Sequence, residues 1–155
     1  MSAEEIETKL SIWKNVGADV FYMNSAFQSF DSGFFNWEEQ ILLPSSKNEL
    51  SEKLVDWTAS LVKAYQTIEI LRREYPEYPE ISNALILPNI EAFKQASADF
   101  TNAIRSSGQD APSALVVTLK PLAATLRREM DITKKWLTGL AETAESKVNK
   151  LSELK

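Results

Sequence analysis

Residues 50–71 read LSEKLVDWTASLVKAYQTIEIL, and their spacing decides the fold class. Leu50, Leu54, Trp57, Leu61, Ala64, Ile68 and Leu71 recur every three or four positions, with Val55, Val62 and Tyr65 widening the stripe. That period belongs to an amphipathic helix, since a half-buried strand alternates at every second residue. Ser46 stands ahead of the stripe with Glu49 three positions on, the spacing of a capping box. At the far end Pro76 disfavours the α conformation at the residue before it, so the helix is predicted to stop by Tyr75.

The same period continues on both sides. Upstream, Ile6, Leu10, Trp13, Gly17, Val20 and Phe27, flanked by Ile12, Val16, Phe21 and Met23, predict a first helix that ends near Asp31-Ser32-Gly33, with Gly33 as its stop. Downstream, Pro79 suits a first turn, and Ile81, Leu85, Ile86, Ile90, Phe93, Ala96, Phe100 and Ile104 form a third stripe closed by Ser106-Ser107-Gly108. Pro88 should kink that segment or break it. The fourth opens with Asp110 as cap and Pro112 in the first turn, then runs through Leu115, Val116, Leu119, Leu122, Leu126, Met130, Trp136, Leu137 and Leu140. Pro121 should bend it early. No stretch alternates as a strand would. Four such helices on short connections predict an all-α fold, an antiparallel four-helix bundle in one domain over residues 1–155, with a short helical connection between its first two long helices. The Leu-Arg-Arg-Glu at 71–74 recurs at 126–129, but few other identities accompany it, so no duplication is inferred.

Length adds a constraint. Ala111–Leu154, if unbroken, would extend about 66 Å, against about 42 Å for each of the other three helices. The last helix is therefore expected either to overhang the bundle, with residues 140–155 or so as an extended tail, or to break near Gly139. Leu137, Leu140, Ala144, Leu151 and Leu154 keep a heptad-like spacing in that tail, flawed by Lys147.

Composition excludes more than it suggests. The chain has no cysteine and no histidine, which rules out a Ser-His-Asp triad, a Cys nucleophile, a zinc finger or zinc hydrolase, an iron–sulfur cluster and His-ligated haem. Carboxylate-bridged metal pairs in helical bundles use Glu-x-x-His, and Glu69 and Asp99 reach only the edges of the apolar stripes. No glycine-rich phosphate loop is present. No cofactor and no metal are expected. The net charge of −5 argues against nucleic acid as a partner. Residues 1–46 hold seven acids and two bases, whereas 110–155 hold eight bases and six acids, so the two ends of the chain should attract one another. The opening Met-Ser-Ala-Glu-Glu has neither a basic n-region nor an apolar h-region, so no secretory leader is expected. Apolar runs are far too short for an integral membrane segment. Cytoplasm is the expected compartment.

Three stretches are candidates for a partner or ligand site. Phe34, Phe35 and Trp37, followed by Ile41, Leu42 and Leu43, form an aromatic connection that serves either as a cap on the end of the bundle or as a lid or wedge. Glu38 and Glu39 beside these rings count against lipid. Tyr75 and Tyr78 lie in a rigid Pro-rich turn, where such rings either anchor a partner or pack on helix ends. Arg127 and Arg128, with Lys134 and Lys135, form a basic cluster: an anion site, or a solvated face with pairs such as Asp131–Lys135. Trp13, Trp57 and Trp136 fall on stripes of three helices and read as core, the bolder alternative being a ligand cavity. Nothing in the spacing recommends catalysis by Lys, Tyr, Ser or Glu. The expectation is a non-enzymatic protein–protein interaction module, adaptor-like, chaperone-like or regulatory. Its partner is another protein, with self-association through the C-terminal helix as one route. The alternative is a binder of an apolar small molecule or lipid in the bundle core, with 34–43 as lid.

Overall fold

The computed structural model describes residues 1–43 and 46–155, and among them it is all-α with no strand. The elements are α1 (Ala3–Phe34), α2 (Trp37–Leu42), α3 (Lys47–Glu74), α4 (Pro79–Ala84), α5 (Ile90–Arg105) and α6 (Pro112–Glu153). The connection at Pro44-Ser45 lies outside the described residues. Four long helices make a ring of neighbours: α1 packs on α3 and α6, and α5 packs on the same two. Lys155 pairs with Glu7 at 3.1 Å and Arg127 with Asp31 at 3.9 Å, which sets α6 antiparallel to α1. Trp57 lies beside Gly33, and Asp19 beside Thr67 and Glu74, which does the same for α3 on α1. Thr58 bonds Ser97 at 2.7 Å, and Lys47 donates to Ser107 at 3.0 Å, which sets α5 against α3.

The stripes explain the burial. Leu50, Leu54, Leu61, Ala64, Ile68 and Leu71 of α3 are buried, as are Phe93, Phe100 and Ile104 of α5 and Leu119, Leu126, Met130 and Leu137 of α6. They belong to one contiguous cluster running from Leu10 to Leu151. Six aromatic rings knit one end of it. Phe30 lies 5.1 Å from Phe93 and 6.4 Å from Trp57, Phe34 lies 5.2 Å from Phe100, and Trp37 lies 5.5 Å edge-on to Phe100. Tilted and edge-to-face pairs at these separations suit the ring quadrupoles.

Helix punctuation follows the sequence in part. Pro88 breaks the third segment into α4 and α5, and α3 ends one residue short of Tyr75. Gly108 stops the chain beyond α5 with φ of 55°, a conformation that costs glycine little. Three expectations are corrected. Gly33 does not end α1, which runs to Phe34; a Cβ at Gly33 would instead collide with the Trp57 ring. Ser46 occupies the cap position of α3, but its side chain makes no capping bond, and Glu49 turns to Lys53 at 2.7 Å. Ala111 rather than Asp110 occupies the cap position of α6, where no side chain makes a capping bond, and the Asp110 N–H bonds the Ser107 carbonyl at 2.9 Å. Of the two outcomes expected for the last helix the break near Gly139 does not occur, since α6 is one helix from Pro112 to Glu153.

The surplus length of α6 is accommodated rather than left free. α1 has 32 residues, so it extends about 48 Å, and α2 packs against α6 beyond it. Leu140, Ala144 and Leu151 are buried, so the apolar seam of the expected tail already faces the core.

Two helical glycines give a direct test of the packing. Gly33→Ala should destabilise the fold by about 2 kcal/mol through overpacking against Trp57. Gly139→Ala, with nothing near its would-be Cβ, should stabilise by about 0.5–1 kcal/mol. Paired urea titrations check this; equal shifts for both would contradict the close approach.

Candidate functional site

The residues singled out from sequence fall in different places. Phe34 and Trp37 are buried in the aromatic cluster, and their rings stack at 6.5 Å. Of the three aromatics in that connection only Phe35 faces outward, 76% exposed, beside exposed Leu42 and Leu43. Arg127 lies with its guanidinium 5.2 Å from the Phe34 ring centre, while Arg128 is exposed. Phe34, Trp37 and Arg127 are thus brought together. Tyr75 and Tyr78 are half-buried near the other end of α1, where Lys9 stands 5.1 Å over the Tyr78 ring. Lys9 and Phe34 are separated by about 37 Å of helix, so the tyrosines share no site with the aromatic connection. Asp131–Lys135 is not among the ion pairs of the described residues; Arg127 bridges to Asp31 on α1 instead. Glu69 pairs with Arg73 at 3.6 Å, and Asp99 accepts from Gln95 at 2.7 Å.

The tryptophans are structural. Trp13 is buried. Trp57 is half-buried against Gly33 and Phe30. The Trp136 indole N–H donates to the Ile86 carbonyl, and its ring lies 6.0 Å from Tyr65. The Tyr65 hydroxyl in turn donates to the Pro88 carbonyl at 2.8 Å, and burial pushes its pKa up. These bonds pin the chain between α4 and α5 onto α3 and α6.

One surface feature was not singled out by periodicity. Along the outside of the molecule a groove of about 560 Å³ runs between α1 and α6. Trp13, Val20, Leu137 and Ala144 contribute its buried side, and Gly17 and Ala141 leave it shallow and open. Phe21, 75% exposed, stands at its rim. Lys14 lies on the α1 side, and Glu142 and Glu145 lie on the α6 side. Beyond Asn24 and Thr138 the groove continues into a more polar depression of about 440 Å³, with Asp31 on α1 and Lys134 on α6. The sequence placed Phe21 inside the first apolar stripe. It sits 100° round the helix from buried Val20, and that rotation takes it out of the core. Gly17 on the stripe was the only sequence signal of a shallow spot.

Among the described residues no group of three or more Asp or Glu side chains is placed to hold a metal ion. Among the same residues no helix is long and apolar enough to cross a membrane. No family model, curated protein or solved structure matches the chain.

The strongest electrostatic cluster lies away from the groove. Lys9, with only 12% of its side chain exposed, pairs with Glu80 of α4 and with Glu5 at 3.3 Å. The hydrogen bond with Glu80 raises the Lys9 pKa, and the same bond lowers that of Glu80. The stability from the raised Lys9 is whole below its unfolded pKa of ~10.4 and is lost as pH climbs through the folded value. The stability from the lowered Glu80 is whole above ~4.3 and is lost as pH falls through its folded value. Lys9→Met should therefore cost roughly 0.5 kcal/mol near neutrality, a modest figure because Glu80 is half exposed. The deficit in Tm should shrink in strong acid and in strong alkali. A deficit unchanged across thermal melts from acid to alkali would show that the ion pair is not its source.

Proposed function

We propose that the chain is an antiparallel four-helix bundle that acts as a cytoplasmic, non-enzymatic protein-binding module. Alternating helix directions around the ring support the architecture. The observation that carries the function is the α1–α6 groove, an apolar trough with Phe21 exposed at its edge and charges on both banks. An exposed aromatic beside a shallow apolar trough is the arrangement in which interface hot spots form. The polar rim suits an opposing protein surface better than hydrocarbon.

The alternative, an apolar ligand in the bundle core beneath 34–43, finds less support. The would-be lid residues Phe34, Trp37 and Ile41 are themselves part of the core. Admitting a ligand there would displace Trp37, and emptying such a position costs on the order of 3–5 kcal/mol.

A photo-crosslinking phenylalanine analogue at position 21, compared with one at exposed Val117 outside the groove, tests the proposal in the native host. We expect a protein adduct of defined mass, a second copy included, from position 21 alone. Absence of any protein adduct, together with a small molecule retained in native mass spectrometry, would transfer the reading to the core-ligand alternative.

A further inference from the structure

We infer that the groove between α1 and α6 is a self-complementary surface that docks a second copy of the chain. This rests on the protein-binding reading and names its partner.

The argument begins with charge order. The Glu7–Lys155 and Asp31–Arg127 pairs fix the antiparallel register of the two helices. In that register Lys14 of α1 lines the same stretch of groove as Glu142 and Glu145 of α6. Some distance along, Asp31 of α1 and Lys134 of α6 line its other stretch. Along α1 the bank therefore runs positive to negative, and along α6 it runs negative to positive. A two-fold axis lying along the groove places α1 of one copy over α6 of the other at the same level. Lys14 then meets Glu142 and Glu145 of the second copy, and Asp31 meets Lys134. Such exchange of unlike patches is what an isologous interface requires. Lys14, Lys134, Glu142 and Glu145 make no ion pair among the described residues, so these four are free to pair across the axis, and Asp31 would share its carboxylate between Arg127 at 3.9 Å and the opposing Lys134.

Shape selects the same axis. Phe21 projects from α1 at the level where α6 presents Thr138 and Ala141. Under this symmetry each Phe21 ring lands on the short side chains of the opposing α6, twice per dimer. Of the expected tail seam only Leu137 and Ala144 reach the floor of the groove, and Leu140 and Leu151 are buried away from it.

Size sets the strength. From Lys14 to Asp31 is about 26 Å of helix. Two helices side by side offer a footprint on the order of 500 Å² per copy, which puts the pair near the lower end of specific interfaces. The net charge of −5 per copy opposes association, though it is screened beyond ~8 Å at physiological salt. The dimer is consequently weak and concentration-dependent.

Sedimentation equilibrium of the purified full chain up to millimolar concentration, with circular dichroism to verify folding, provides the test. We expect a reversible monomer–dimer equilibrium. Phe21→Ala should weaken it by about tenfold or more, and Lys14→Glu should weaken it by a similar factor. Adding Glu142→Lys and Glu145→Lys to Lys14→Glu should restore it, whereas Lys63→Glu on α3 should leave it unchanged. A chain monomeric at every concentration overturns the inference, as does a dimer indifferent to Phe21→Ala or a charge reversal without rescue. A monomer whose position-21 crosslinker still traps a different protein would overturn self-pairing alone and leave the protein-binding reading standing.

Discussion

The contact between Gly33 and Trp57 is the constraint on which one whole end of the molecule depends. Because Gly33 has no Cβ, the indole of α3 lies directly on the backbone of α1. That approach brings Phe30 and Phe34 within reach of Trp57, Phe93 and Phe100, so rings from α1, α3 and α5 meet in one cluster. Trp37 then closes the cluster from α2. A side chain at position 33 would push α3 outward and leave the rings separated by space too small for water, at the expense of their dispersion contacts.

The rest of the architecture follows from that fixed end. With α1 continuing through Gly33 to Phe34, the short α2 must fold back immediately, and it does so with Gln40 donating to the Gly33 carbonyl at 2.9 Å. α2 thereby supplies a neighbour for the early turns of α6, which α1 alone is too short to cover. At the other end α5 is too short as well, and the broken stretch ahead of it fills the gap. Ile81 and Leu85 are buried there, Lys9 ties α4 to α1 through Glu80, and Trp136 and Tyr65 hold the 86–88 carbonyls. A helix of 42 residues is accommodated because α2 at one end and the stretch at Ile86 at the other extend the faces that receive it.

Much of this was legible in the order of residues. The 3–4 spacing located all four long helices, Pro76 and Pro88 located two boundaries, and the Phe34–Leu43 stretch announced a short helix. Less was legible where a residue's meaning depends on a neighbour distant in sequence. Gly33 has the local look of a helix stop, and only the presence of Trp57 twenty-four positions away makes it a packing residue instead. Phe34, Phe35 and Trp37 looked alike as site candidates, yet the turn between α1 and α2 sends two rings inward and leaves one outside. The groove was scarcely legible. Its floor of Trp13, Val20 and Leu137 lies on the stripes, but its rim is made of outward flanks of α1 and α6 that become one surface only when the helices lie side by side.

The sequence by itself therefore determined the all-α class, the helix segments and the exclusion of every histidine- and cysteine-dependent chemistry, because these follow from local periodicity and from which side chains exist. Tertiary structure alone decided that the last helix is accommodated rather than free, that Trp37 is core and Phe21 surface, and that Lys14 shares a groove with Glu142 and Glu145. The physical reason is that burial and electrostatic register are properties of pairs of helices. Spacing along one helix fixes its own apolar face, but the flank beside that face acquires a role only from whatever packs next to it.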